Sequence, residues 1–259
     1  MIQLLRLGPD EAERLIRWAI EIRRFHAACT AALKAAYGRP AVDSQIDRIS
    51  RLTEPMADTG LAAARLRLDA GADHLLAIAA LLETNPPPRL ALYSLMRTVL
   101  ETAAIAAWLY GEGLTPDERA QRGRRARANN LDEVIKLTGS ADAKANLAAL
   151  NTPRLPDTTS LLRGLLPSIH PRSGKPIGEV LFRQLGGRAH GEIWSTIGGQ
   201  QVAGGVTTSL VAFSLDPEVI AGALGPTVEL FEKATKRCLA LAGLTAEPAF
   251  ADLGLPHLD

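Results

Sequence analysis

The sequence predicts an all-α protein, a bundle of about six to eight helices around a central apolar helix near residues 89–110. Three observations predict it. Alanine and leucine supply much of the 47% apolar content, and both are strong helix formers. Aromatic residues make up only 4% of the chain, which disfavours a sheet protein built from aromatic and β-branched side chains. Apolar positions recur at three- and four-residue intervals, and prolines and glycines separate the stretches.

Pro9 suits a first helical position, and Gly38 with Pro40 ends the run, so a helix is expected from Pro9 to about Tyr37. Leu15, Trp18, Ala19, Ile22 and Phe25 form its apolar stripe. A short helix over Val42–Leu52 and a long one over Asp58–Leu82 follow, the second closed by Pro86-Pro87-Pro88. Arg89–Tyr110 is apolar around nearly its whole circumference, the mark of a helix buried on all sides. Pro116 opens a polar helix to about Leu137, and Ala141–Leu150 reads as another.

Asn151–Lys175 is broken by prolines, with room for a short helix near Ser160–Leu166. A helix from Pro176 to about Ile197 ends at Gly198-Gly199. Val202–Leu215 is β-prone in composition and is read as helix. Pro217–Leu244 is a long terminal helix, and 246–259 a loosely held tail, so residues 1–245 are expected to form a single domain.

A net charge of +1 gives no global drive toward nucleic acid or an acidic membrane, although a local patch is compatible with it. Cys29 and Cys238 are far apart, without metal or redox spacing, and read as reduced thiols. No signal-peptide pattern or uninterrupted membrane-length apolar run is visible, and the expected location is the cytoplasm. No HExxH, CxxC, EF-hand, phosphate-loop or dinucleotide motif occurs, so neither a metal nor a cofactor is expected.

Two features bear on chemistry. On a helix over Pro176–Ile197, Ile177, Leu181, Leu185, Ala189 and Ile193 form an i, i+4 ridge that should face the core. Arg183, Gly187, His190 and Trp194 fall on the other side, a guanidinium and an imidazole two turns apart. Gly186 and Gly187 each cost about 1 kcal/mol relative to alanine in a helix interior, so the pair needs a reason. Space for a substrate or partner beside Arg183 and His190 is one reason, and a break in the helix is another. Arginine can grip a phosphate and histidine can move a proton near neutral pH, the two tasks of metal-free RNA cleavage. The competing reading is a surface arginine with a capping or packing histidine.

The segment Arg183-Gln184-Leu185-Gly186-Gly187-Arg188-Ala189-His190 resembles the Arg-x(4–6)-His motif of the HEPN superfamily. The pattern around Arg97, Glu101 and Trp108 resembles one that recurs in bacterial helical proteins. The HEPN resemblance implies an all-helical, commonly dimeric, metal-independent endoribonuclease of toxin or defence type. Arg183 and His190 would be catalytic, RNA the substrate, and an antitoxin or other protein a partner. The alternative is a non-catalytic helical binding protein.

The second feature is Arg97 and Glu101, one turn apart on the most apolar helix. Charges there should pair with each other or with a third group. They read either as a structural ion pair or as a polar site in which Glu101 positions His190 or His74. His74 borders the apolar stripe of Leu68, Leu75, Ile78 and Leu82 and reads as core edge or site. Five arginines, Arg119, Arg122, Arg124, Arg125 and Arg127, spread around the fifth helix, which is read as solvated or as a phosphate contact.

Overall fold

A computed structural model describes residues 8–38, 40–51, 55–85, 87–171, 173–189 and 217–245. Among these residues the helices are α1 (Pro9–Gly38), α2 (Gln45–Arg51), α3 (Pro55–Leu82), α4 (Arg89–Leu109), α5 (Pro116–Thr138), α6 (Ala141–Leu150), α7 (Thr158–Leu165), α8 (Ile177–Ala189) and α9 (Pro217–Leu241). No strand forms among them, and the only pairing of strand type is an isolated antiparallel bridge between Ile169 and Pro176. The architecture is an all-α helical bundle. Its short members α2 and α7 bring the described helices to nine. The expected helix over Val202–Leu215, the continuation of α8 to Ile197 and the tail 246–259 lie outside the described residues.

The all-round apolar character of α4 has the expected result. Leu92, Met96, Val99, Leu100 and every residue from Thr102 to Ala107 are buried, and α3, α7, α8 and α9 pack around it. The helix is long and apolar enough to cross a membrane by composition, and most of its apolar window is buried inside the bundle. The α1 stripe is buried as its spacing requires, and Phe25 meets Phe231 of α9 edge to face at 6.3 Å.

Small residues set the closest crossings. A β-carbon on Gly60 of α3 would lie 3.1 Å from the Gly123 Cα of α5. One on Gly71 would strike the Phe231 ring at 2.6 Å and the Thr102 hydroxyl at 2.9 Å.

α5 begins with a capping box between Thr115 and Glu118 and ends at Gly139 in the left-handed conformation, φ 67°. Ser140 and Asp157 cap α6 and α7 through their side chains.

Arg119, Arg122 and Arg125 of α5 depart from the solvated reading, whereas Arg127 is exposed. The last carbonyls of α4 have no partners within that helix; two arginines donate to them, and a third donates to the turn that follows. Arg237 of α9 donates to the Ala107 carbonyl at 2.7 Å, Arg122 donates to the Trp108 carbonyl, and Arg119 donates to the Gly111 carbonyl at 3.2 Å. Arg119 is only 4% exposed and also donates to Gln45 at 2.8 Å. Burial, then the nearby Arg122, pushes the Arg119 guanidinium below the usual arginine range. Positive charge at a helix C-terminus also complements the macrodipole. Arg122 and Arg125 stack over Trp108 at 4.7 and 5.9 Å.

Candidate functional site

α7 and α8 form one tightly joined unit. The bridge between Ile169 and Pro176 folds the chain back, with Ile177 N–H donating to the Ser168 carbonyl at 2.7 Å. Gly178 permits the contact, since a β-carbon there would lie 2.5 Å from the Leu162 carbonyl oxygen. This packing brings Arg163 of α7 against Glu179 of α8.

Glu179 is the centre of the unit, its side chain 5% exposed. Arg163 Nε donates to its Oε2 at 2.6 Å, Arg183 Nε lies 3.2 Å from Oε1, and Lys175 Nζ lies 3.9 Å from Oε1. The hydrogen bond from Arg163, aided by the charges of Arg163, Lys175 and Arg183, holds the carboxyl below its ordinary range against the opposing effect of burial. One carboxylate thus serves three cations, and with Asp157 also acting on Arg163 the cluster keeps a net positive charge on an exposed surface. Arg183 is 59% exposed despite its ion pair. The arrangement can receive an anion, because a guanidinium engaged through Nε still has terminal N–H groups for a phosphate.

The Glu179 cluster was missed by the motif-led reading of the sequence. Its signal is the run Lys175, Glu179, Arg183 at successive i, i+4 spacings, with Glu179 and Arg183 on one face of α8 and Lys175 just before its start. The contribution of Arg163 is tertiary and carries no such signal.

The other candidate residues are distributed as follows. His190 and Trp194 lie outside the described residues. Arg97 of α4 reaches α8, with its guanidinium over the Phe182 ring at 4.7 Å. It also accounts for one of the two glycines, since a β-carbon on Gly186 would lie 3.0 Å from Arg97 Nη1. Gly186 and Gly187 are both buried, and α8 runs unbroken through them to Ala189. This corrects the expectation that Gly187 shares an outward face with Arg183, and neither a helix break nor an outer gap explains the pair. The buried face of α8 is wider than the Leu181–Leu185 ridge and includes Gly178 and Glu179.

Glu101 accepts a hydrogen bond from the Thr158 hydroxyl at 3.4 Å, so its contact is a third group on α7. Among the described residues no ion pair joins it to Arg97, and no hydrogen bond joins it to His74. His74 is half-buried on α3. Arg188 donates to the Tyr93 hydroxyl at 3.2 Å and lies over that ring at 5.1 Å. α8 is therefore tied to α4 through Arg97 and Arg188, while Arg183 points to the α7 side.

Among the described residues no group of three or more His, Cys, Asp or Glu side chains is placed to hold a metal ion. Cys29 and Cys238 are buried free thiols. Neither the protein-family models, the curated proteins nor the solved structures give a match to this chain.

Proposed function

We propose that the α7–α8 face binds RNA, and that the protein is a HEPN-like, metal-independent endoribonuclease with Arg183 and His190 as its working pair. The observation that carries the binding step is the net positive charge of Arg163, Lys175 and Arg183 around buried Glu179. A phosphodiester on this face meets Arg183 already oriented by its ion pair, with Arg163 and Lys175 on either side of the same carboxylate. Preorganised cations lower the cost of gathering charge around a phosphate as the transition state forms. The cleavage step rests on the Arg183–His190 spacing in the sequence, with His190 as acid/base: it takes the 2′-hydroxyl proton as that oxygen bonds to phosphorus, and gives a proton to the 5′-oxygen as its bond to phosphorus breaks. In this reading the protein acts in the cytoplasm as a homodimer, with an antitoxin or another protein as its partner. Arg97, Glu101, His74 and Trp194 would support the site, and no cofactor takes part.

A second reading is favoured by the burial of both glycines, Gly186 against Arg97 of α4: a helical protein that binds RNA or another polyanion without cutting it. Two assays separate the readings. Anisotropy with a labelled RNA oligonucleotide reports binding, and gel analysis of the same oligonucleotide in excess chelator reports cleavage. Binding with cleavage that depends on His190 supports the nuclease. Binding without cleavage supports the second reading. No binding defeats both.

A further inference from the structure

α1 and α3 run antiparallel. Arg23 pairs with Glu83 toward one end, and Arg65 of α3 stacks on the Tyr37 ring of α1 at 4.4 Å toward the other. A cleft of about 520 Å³ lies between the two helices, lined from His26 and Leu76 at one end to Tyr37, Gly38 and Arg65 at the other. That volume falls within the range of small-molecule sites, roughly 300–1,000 Å³. Buried Leu33 and Ala72 form part of its base.

The charges in the cleft are balanced in sign but incompletely paired. Arg65 and Asp69 pair with each other at 3.7 Å. Lys34 of α1 and Asp73 of α3 also line the cleft, and among the described residues their side chains enter no ion pair or hydrogen bond. A cation of α1 and an anion of α3, both exposed, therefore line one cavity without pairing with each other. A ligand of single sign would gain one of them and be repelled by the other. A ligand with both signs satisfies both. The cleft's volume of about 520 Å³ suits a short molecule rather than a long peptide or a nucleic acid.

We propose that this cleft binds a small zwitterion of the free amino acid or dipeptide class, with its carboxylate on Lys34, its ammonium on Asp73 and an aliphatic side chain toward Leu33 and Ala72. The site is separate from the α7–α8 face and does not depend on the RNA reading.

The test is an amide-NMR titration of the full chain with glycyl-leucine, N-acetyl-glycyl-leucine and glycyl-leucinamide at fixed ionic strength. Free dipeptide is expected to give saturable shifts along α1 and α3, and each blocked form to bind about fivefold more weakly, as for loss of one exposed ion pair. Lys34→Gln and Asp73→Asn should each produce a similar loss while leaving the rest of the spectrum in place. Should either variant fail to fold, the blocked dipeptides on the unaltered chain decide. Equal binding of free and blocked forms, or no saturable shift by about 50 mM dipeptide, a Kd too weak to reflect a built site, overturns the proposal.

Discussion

The guanidinium of Arg97 occupies the space where a side chain at position 186 would begin: a β-carbon on Gly186 would lie 3.0 Å from Nη1 and 3.3 Å from Cζ. The Phe182 ring holds the same guanidinium at 4.7 Å. Glycine to alanine in an unobstructed helix gains about 1 kcal/mol. With Arg97 in place, Gly186→Ala is expected to gain less than about half of that or to lose stability, because the guanidinium must shift by a few tenths of an ångström against the Phe182 ring. In an Arg97→Ala background the full gain of about 1 kcal/mol should appear. Urea denaturation of the four proteins measures this coupling. Additive effects would show that Arg97 does not dictate the glycine.

Arg119 closes the C-terminal end of α4 from a buried position, and its Nη1 has no hydrogen-bond partner. Arg119→Met removes the donors to the Gly111 carbonyl and to Gln45, and it also removes the unpartnered N–H group. The first effect is expected to prevail, with a net loss of about 1–2 kcal/mol in chemical denaturation. A stabilised variant would mean that the orphaned N–H group costs more than the two hydrogen bonds contribute.

Glu179 gives the α7–α8 unit a defined pH dependence. Its folded-state pKa is lowered by the hydrogen bond from Arg163 and by the neighbouring cations. The stability it contributes is therefore present above the unfolded carboxyl value of about 4.3 and is lost as pH falls through the lower folded value. Glu179→Gln should be less stable than the unaltered chain at neutral pH, and the difference should shrink below about pH 4. Thermal denaturation across pH 3–8 reads this. A difference that stays constant with pH would remove the charge-based account of the cluster.

The same cluster predicts the salt response of RNA binding. If Arg163, Lys175 and Arg183 contact phosphates, each alanine replacement should lower the slope of log Kd against log salt by about 0.7 and weaken binding similarly across sequences. Anisotropy titrations over a range of salt concentrations give the slope. An unchanged slope for all three variants would place the RNA elsewhere.

How far the sequence reveals this molecule depends on which contacts are local. The buried surround of α4 and the stripe of α1 follow from helical periodicity and are readable in advance. The cations of α5 are not, because a polar helix looks solvated until the carbonyls of Trp108 and Gly111 at the end of α4 are placed beside Arg122 and Arg119. Gly186 looked like a gap for a substrate because the Leu181–Leu185 ridge gave no hint that α8 is buried over a wider arc, with an arginine of another helix filling the space. Lys175, Glu179 and Arg183 were readable as an i, i+4 ladder, whereas the burial of Glu179 and the arrival of Arg163 depend on α7 folding back.

The most direct test is cleavage of a labelled RNA oligonucleotide in excess chelator by the unaltered chain and by His190→Ala. The account predicts products with 2′,3′-cyclic phosphate ends, a loss of at least about 100-fold in rate for the variant, and little change in its RNA affinity. Equal rates from both proteins, or intact RNA with the unaltered chain, would contradict it.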